Sequence, residues 1–313
     1  MGNLGASLEI YILGTAGLMP IPGRSLISVL ARREGELFLF DCGECAQLGL
    51  CRLNIHWKNL AGVFLSHIHA DHVTGLPGIL MLSSQADRSK PFHIYGPPGT
   101  DDFIESTRRT LPMYISYKII VHETYESRVL LQGDGYSIRS FPLSHSKECL
   151  AYCLEEENRP GVFFPEKAVE LGVPRGPLWS ILQGGSSVIL ASGKTVHSSD
   201  VMGERRKGRK LSFVTDTTVI MGLSEFVYNS DLLVCEGMYD NNCLDVAIRR
   251  KHLTASQAAV IARDGNVSQL GLIHYSPDVS KKGLGLLLEE ARRVFQNTFL
   301  TNDLQYIMMP NHG

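Results

Sequence analysis

Gly62-Val63-Phe64-Leu65-Ser66-His67-Ile68-His69-Ala70-Asp71-His72 is the stretch whose reading decides the fold. Its first four residues have the composition of a buried strand, and they run directly into four metal-ligand side chains within six positions. Alternate residues of an extended backbone point the same way, so His67 and His69 project to one side. A turn at Ala70 then sends Asp71 and His72 toward a neighbouring position. Side chains placed in this way line two adjacent metal sites. Imidazole and carboxylate without thiolate suit zinc, with manganese, iron or cobalt as substitutes. A solvated histidine-rich loop is the plain alternative, but at this composition an HxHxDH should arise by chance in well under about one sequence in a hundred.

Two complete sites need ligands from elsewhere, and three candidates end other expected strands. His145 follows Ser140-Phe141-Pro142-Leu143, Asp216 follows Phe213-Val214, and His274 follows Leu272-Ile273. A lone histidine at a strand end is more often structural; three ligand types placed alike form a pattern. The two oxygens of a carboxylate can reach two cations, so Asp216 is the natural shared ligand. Five histidines and two aspartates then leave a bridging position for hydroxide. Two Zn²⁺ offset by Asp71, Asp216 and that hydroxide leave a formal charge of about +1, suited to a singly charged phosphodiester.

The rest of the chain fits a layered α/β fold. Short apolar runs at Leu8–Leu13, Ile27–Ala31, Glu36–Phe40, Lys118–Val121, Tyr136–Leu143, Leu211–Val214, Leu232–Cys235 and Gln269–Ile273 read as strands. Helical spacing marks Leu76–Leu82, Thr254–Arg263 and Lys281–Phe295. One domain is expected over 1–313. Within it, 155–210 is an arm-like insertion, dense in Pro and Gly and weak in apolar periodicity.

The 313 residues are 44% hydrophobic and 20% charged, which excludes global disorder. A net charge of −2 excludes nucleic-acid binding by bulk positive charge, though not by a local patch. No apolar run suits a membrane span, and the first basic residue is Arg24, so an untargeted cytoplasmic protein is expected. Seven cysteines, an odd number, argue for reduced thiols.

Gly14-Thr15, Phe40-Asp41-Cys42-Gly43-Glu44, the HxHxDH followed by Gly75-Leu76-Pro77-Gly78, Tyr95-Gly96-Pro97, Thr215-Asp216-Thr217 and His252-Leu253-Thr254-Ala255 together resemble the ribonuclease Z family. These are tRNA 3′-processing endonucleases of the metallo-β-lactamase superfamily, and the similarity runs in order from about Leu8 to His274. The resemblance implies an αββα sandwich with two zinc ions at one edge. It assigns one ion to His67, His69, His145 and Asp216, and the other to Asp71, His72, Asp216 and His274. It also implies that His252, supported by Glu236, protonates the leaving 3′-oxygen, that the substrate is precursor tRNA, and that the protein is a homodimer.

The family's insertion grips the tRNA elbow. Arg159-Pro160-Gly161 and Gly172-Val173-Pro174-Arg175-Gly176-Pro177-Leu178 resemble it, but Trp179-Ser180-Ile181-Leu182-Gln183 stands where its distal lysines belong. Trp179 can stack on a base or pack internally. Pro20-Ile21-Pro22-Gly23-Arg24-Ser25 departs from the family's PxKxRN, and Pro277-Asp278 replaces Arg-Tyr after His274-Tyr275-Ser276. Arg205-Arg206-Lys207 with Arg209-Lys210 reads as a phosphate-binding run or a solvated face. Arg249-Arg250-Lys251, beside His252, is better placed for phosphate. The rival readings are a hydrolase of small phosphodiesters or sulfate esters on this fold, and a catalytically silent RNA-binding scaffold.

Overall fold

The computed structural model describes residues 7–278 and 283–312. They divide into two compact units, one made of the chain up to Glu155 with Lys210–Pro310, the other of Glu156–Arg209 with the last residues from Asn311.

The larger unit carries two seven-stranded sheets. Strands β1 (Leu8–Gly14), β2 (Ser28–Arg33), β3 (Glu36–Phe40), β4 (Leu60–Phe64), β5 (Phe92–Gly96) and β6 (Ile119–Glu123) join the last strand, β16 (Gln305–Met309), in the order β16-β1-β2-β3-β4-β5-β6. The second sheet uses β7 (Arg128–Gly133), β8 (Tyr136–Ser144), β9 (Glu148–Glu156), β12 (Lys210–Val214), β13 (Leu232–Glu236), β14 (Leu270–Ile273) and β15 (Thr298–Leu300), ordered β15-β14-β13-β12-β9-β8-β7.

Inward residues of both sheets share one apolar layer, including Ile10, Phe38, Phe40 and Phe64 from the first and Tyr152, Leu211, Phe213 and Val234 from the second. Phe40 and Phe213 face each other across it at 5.8 Å between centroids. Leu76, Ile79 and Ile104 from the helices Leu76–Gln85 and Thr100–Thr110 cover the outer face of the first sheet. Ala258, Ala259, Leu287 and Ala291 from Ala255–Asp264 and Gly285–Val294 cover the second. The result is the four-layer αββα sandwich. Lys281 and Lys282, which the spacing assigns to the last helix, lie outside the described residues.

Strands β3 to β6 run parallel, as do β12 to β15. Parallel neighbours gather their carboxyl ends along one edge, where open α/β sheets place their ligands. The residues following β3, β4, β12 and β14 therefore share that edge.

The smaller unit has its own core of Ala168, Val173, Leu182, Val188, Val196 and Val201. It is built from the helices Pro165–Glu170, Pro177–Gln183 and Ser198–Val201 and the hairpin β10 (Val188–Ile189) and β11 (Thr195–Val196). Elements of two to seven residues are too short to print a period, which is why this stretch reads as irregular in sequence. Trp179 is spent on packing: its indole N–H donates to the Val173 carbonyl at 3.3 Å and its ring lies against Phe163.

Candidate metal centre

Strand β4 ends at Phe64, and His67, His69, Asp71 and His72 follow on the extended segment and the short helix Ala70–Val73. His145 follows β8, Asp216 follows β12, and His274 follows β14. The structure brings all seven together. His67 Nε2 lies 2.8 Å from His69 Nδ1, which lies 3.4 Å from His145 Nε2. Asp216 Oδ2 is 3.6 Å from both His67 Nε2 and His145 Nε2. The other oxygen of Asp216 turns away from this group: Oδ1 is 3.7 Å from His72 Nε2 and 3.3 Å from His274 Nδ1. Asp71 Oδ2 completes the second group, 3.4 Å from His72 Nε2 and 3.3 Å from His274 Nε2.

These spacings test the fit to metal. Four ligands at about 2.0–2.1 Å from a tetrahedral ion stand about 3.3 Å from one another. The separations in the first group bracket that value, and those in the second run from it up to 3.7 Å, with the two nitrogens of His274 turned to different carboxylates. His72 Nε2 and His274 Nδ1 are buried without a hydrogen-bond partner among the described residues, a costly arrangement unless a cation takes their lone pairs. The clusters thus have the composition and geometry of divalent-metal sites.

The surroundings orient each ring. Asp41, at the end of β3, accepts from the Ser66 backbone N–H at 2.7 Å and the Ser66 hydroxyl at 2.8 Å, and its Oδ2 lies 2.8 Å from His72 Nδ1. That contact turns His72 Nε2 into the site. Ser66 Oγ is 3.0 Å from His67 Nδ1, and the Lys251 carbonyl accepts from His145 Nδ1 at 3.0 Å. Such partners set tautomer and ring angle. The backbone N–H of Leu18 donates to Asp71 at 2.8 Å. Leu18, Asp41, Lys251 and His274 all hold positive φ, conformations that cost free energy and collect at functional sites. Gly17 is required by proximity, since a Cβ there would sit 2.6 Å from His274 Nε2.

Burial pushes His67, His69 and His145 below the usual histidine value, leaving neutral imidazoles with lone pairs to donate. Burial also opposes charge on His72, but the Asp41 carboxylate, then Asp216, hold it well above. For Asp216, burial is overcome by His274, His72, His252 and His67, which hold the carboxyl well below its ordinary range. Asp71 is held down similarly by hydrogen bonds from His274 and His72 against the effect of burial.

Beside the cluster stand His252 and Glu236, the last residue of β13. His252 Nδ1 is 2.9 Å from Glu236 Oε2, and Glu236 Oε1 accepts from the Thr217 N–H at 2.7 Å. Burial works to lower His252, but Glu236 and then Asp216 raise it to about 9. His252 does not cap the following helix; Thr254 does, in a reciprocal capping box with Gln257.

The chain is 52% identical over 303 residues to the ribonuclease Z of Treponema denticola, covering 97% of this chain and 98% of that protein. The chain belongs to the ribonuclease Z family. Among solved structures, the short form of human tRNase Z superposes with a TM-score of 0.71 at 24% identity, over 96% of this chain and 99% of that one. The metallo-β-lactamase fold protein YhfI from Bacillus subtilis gives 0.67 at 17% identity, over 97% and 100%. Both show the fold, which is that of the metallo-β-lactamases. A family model described as anti-Pycsar protein Apyc1 matches residues 8–112 only.

Several basic side chains outside the cluster are occupied by protein partners. Arg209 is buried against Glu156, with Nε 2.7 Å from Oε2; Lys210 donates to the Phe226 and Tyr228 carbonyls; and Arg206 donates to the Pro160 carbonyl. The run Arg205–Lys210 is therefore no continuous phosphate face. Arg24 is likewise spent, on Thr15 Oγ1, the Thr301 carbonyl, Asn302 Oδ1 and the Tyr275 ring. Sequence reasoning gave no role to Asp41, although it falls at a strand end like the ligands.

Proposed function

We propose that this protein is a dinuclear zinc endoribonuclease that removes 3′ trailers from precursor tRNA. The observation that carries the reading is Asp216, whose two oxygens face two separate ligand groups, with the His252–Glu236 pair alongside. His67, His69 and His145 would hold one ion with Asp216 Oδ2; Asp71, His72 and His274 would hold the other with Oδ1. Bound there, two divalent cations supply an activated water and positive charge against the scissile diester. Asp41, Ser66 and the Lys251 carbonyl keep the ligand imidazoles in one tautomer and angle. With Nδ1 engaged by Glu236, His252 holds its second proton at Nε2, where a leaving ribose 3′-oxygen can take it. Glu236 stays aligned because the Thr217 N–H holds its other oxygen.

Zinc is favoured by the thiolate-free donor set. Membership of the ribonuclease Z family supports the tRNA substrate, and a homodimer in the cytoplasm is part of the same proposal. Among the described residues no helix is long and apolar enough to cross a membrane. The segment Glu156–Arg209 acts as the arm-like insertion of one metallo-β-lactamase-fold domain and contributes RNA contacts. The test is a 3′-extended tRNA transcript incubated with pure zinc-loaded protein, with both product ends mapped. A 3′-OH on the tRNA and a 5′-phosphate on the trailer are expected; a 2′,3′-cyclic phosphate would overturn the mechanism.

A further inference from the structure

Arg249, Arg250 and Lys251 are three adjacent cations, but the structure gives them different neighbours. They close the helix Leu244–Arg250, whose C-cap Lys251 adopts the left-handed conformation at φ 57 and ψ 54. Cations in a last helical turn commonly do no more than complement the helix dipole. Here the reversal of the chain at Lys251 separates the three. The carbonyl of Lys251 accepts from His145 Nδ1 at 3.0 Å while its ammonium donates to the carbonyl of His145, also at 3.0 Å. Residue 251 thus grips the ligand His145 from two sides. Arg250 donates to the Tyr239 hydroxyl at 3.2 Å. Arg249 has no hydrogen-bond or ion-pair partner among the described residues, is exposed, and lines, with Arg250 and Lys251, the cleft of about 380 Å³ that also holds His69, Asp71, Asp216 and His252.

We propose that this basic run divides its work: Arg249 binds an RNA phosphate flanking the scissile one, and Lys251 positions the ligand His145. This rests on the endoribonuclease reading and deepens it by naming a contact for the polyanionic chain. RNA carries further phosphates on either side of the scissile bond, and a free guanidinium beside the reacting centre can meet one with two parallel hydrogen bonds. The ammonium of Lys251 is committed to the His145 carbonyl and the guanidinium of Arg250 to Tyr239. Of the three, Arg249 is the one with no protein hydrogen bond to give up before it meets a phosphate.

The experiment measures kcat and KM for Arg249→Ala, Arg249→Lys, Lys251→Gly, Lys251→Val and, as a distant cation, Arg108→Ala. Substrates are a 3′-extended tRNA and bis(p-nitrophenyl) phosphate, across a potassium chloride series. Deleting one cation that binds a phosphate makes the plot of log(kcat/KM) against log salt shallower by about 0.7 to 1. Arg249→Ala should show that change on tRNA with a severalfold rise in KM, and Arg249→Lys should restore the slope. Lys251→Gly also deletes a cation but keeps the left-handed backbone, so its slope should match wild type and Arg108→Ala. Lys251→Val strains that backbone and should lower kcat on both substrates about tenfold or more, with weaker metal retention. Equal slopes for Arg249→Ala and Lys251→Gly, or no change in either, would overturn the division. If wild type cuts the small diester but not tRNA, the tRNA reading fails by itself. The same slopes measured on an oligouridylate then decide Arg249 separately.

Discussion

The strand ends that hold the ligand cluster and the segment Glu156–Arg209 are built on opposite terms. At the strand ends, polar and charged groups are buried, and four of the rings have their far nitrogen engaged: His72 by Asp41, His67 by Ser66, His145 by the Lys251 carbonyl, His252 by Glu236. In Glu156–Arg209 the interior is six small and branched apolar residues, and the buried ion pair Glu156–Arg209 closes its root. The first region spends stability on preorganised geometry, where a shift of one ring changes the chemistry. The second, on the proposed reading, need only fold and present a surface to RNA. Substitutions should therefore be punished by geometry in one region and by burial alone in the other.

The sharpest break of that contrast is Asp216→Ala. Removing the carboxylate that faces both groups should abolish cleavage of tRNA and of a small diester alike, with metal per chain falling in elemental analysis. Full retention of two metals would refute its shared role. His252→Ala comes next, with a loss of about 10²- to 10⁴-fold on pre-tRNA at saturating RNA and little loss on bis(p-nitrophenyl) phosphate, whose leaving group needs no proton. Metal content should stay at wild-type level; equal slowing of both substrates would reassign His252 to positioning.

Its pH profile sharpens the same point. A general acid must be protonated, so activity on pre-tRNA falls as pH rises through the His252 value. Burial works to lower that value, but Glu236 and Asp216 raise it to about 9; two divalent cations bound beside it would pull it lower. The descending limb should therefore lie below about 9 and move further down in Glu236→Gln, whereas the nitrophenyl substrate shows no such limb. A limb unmoved by Glu236→Gln would remove the carboxylate from this role.

Asp41→Asn should cost less, about 10- to 100-fold in metal affinity or activity on both substrates, because it loosens His72 without deleting a ligand. Titration with a competing chelator would read it, and unchanged affinity would show that Ser66 alone suffices. The smallest effect belongs to the other region. Replacing 157–208 by a short Gly-Ser link keeps Glu156 and Arg209, whose backbones already meet at 2.9 Å. Turnover of the small diester should persist while kcat/KM on pre-tRNA falls about tenfold, or about 1.4 kcal/mol. Parallel loss on both substrates would show that the segment supports the centre and does more than bind RNA.

Legibility followed locality. His67, His69, Asp71 and His72 are neighbours in sequence, and His145, Asp216 and His274 each end a run of strand-forming residues, so a reader can collect all seven without coordinates. Asp41 also ends a strand but is a common residue in an ordinary position. Its value comes from Ser66 and His72, brought beside it when β3 pairs with β4. Trp179 and the run Arg205–Lys210 were ambiguous for the opposite reason: their partners, Val173, Glu156 and the carbonyls of Phe226 and Tyr228, are apparent only after folding.

By itself, then, the amino-acid order determined the layered α/β class and a candidate donor set with the chemistry such donors favour. Side-chain type and the two-residue repeat of a strand are local properties, and they survive without a fold. The tertiary structure alone decided which oxygen of Asp216 faces which group, which nitrogen of His67, His72 and His145 is left to donate, and which basic side chains hold protein partners. Those are matters of distance and direction between residues up to about two hundred positions apart, such as Asp71 and His274. Only the packing of two sheets through a shared apolar layer brings such residues to one edge.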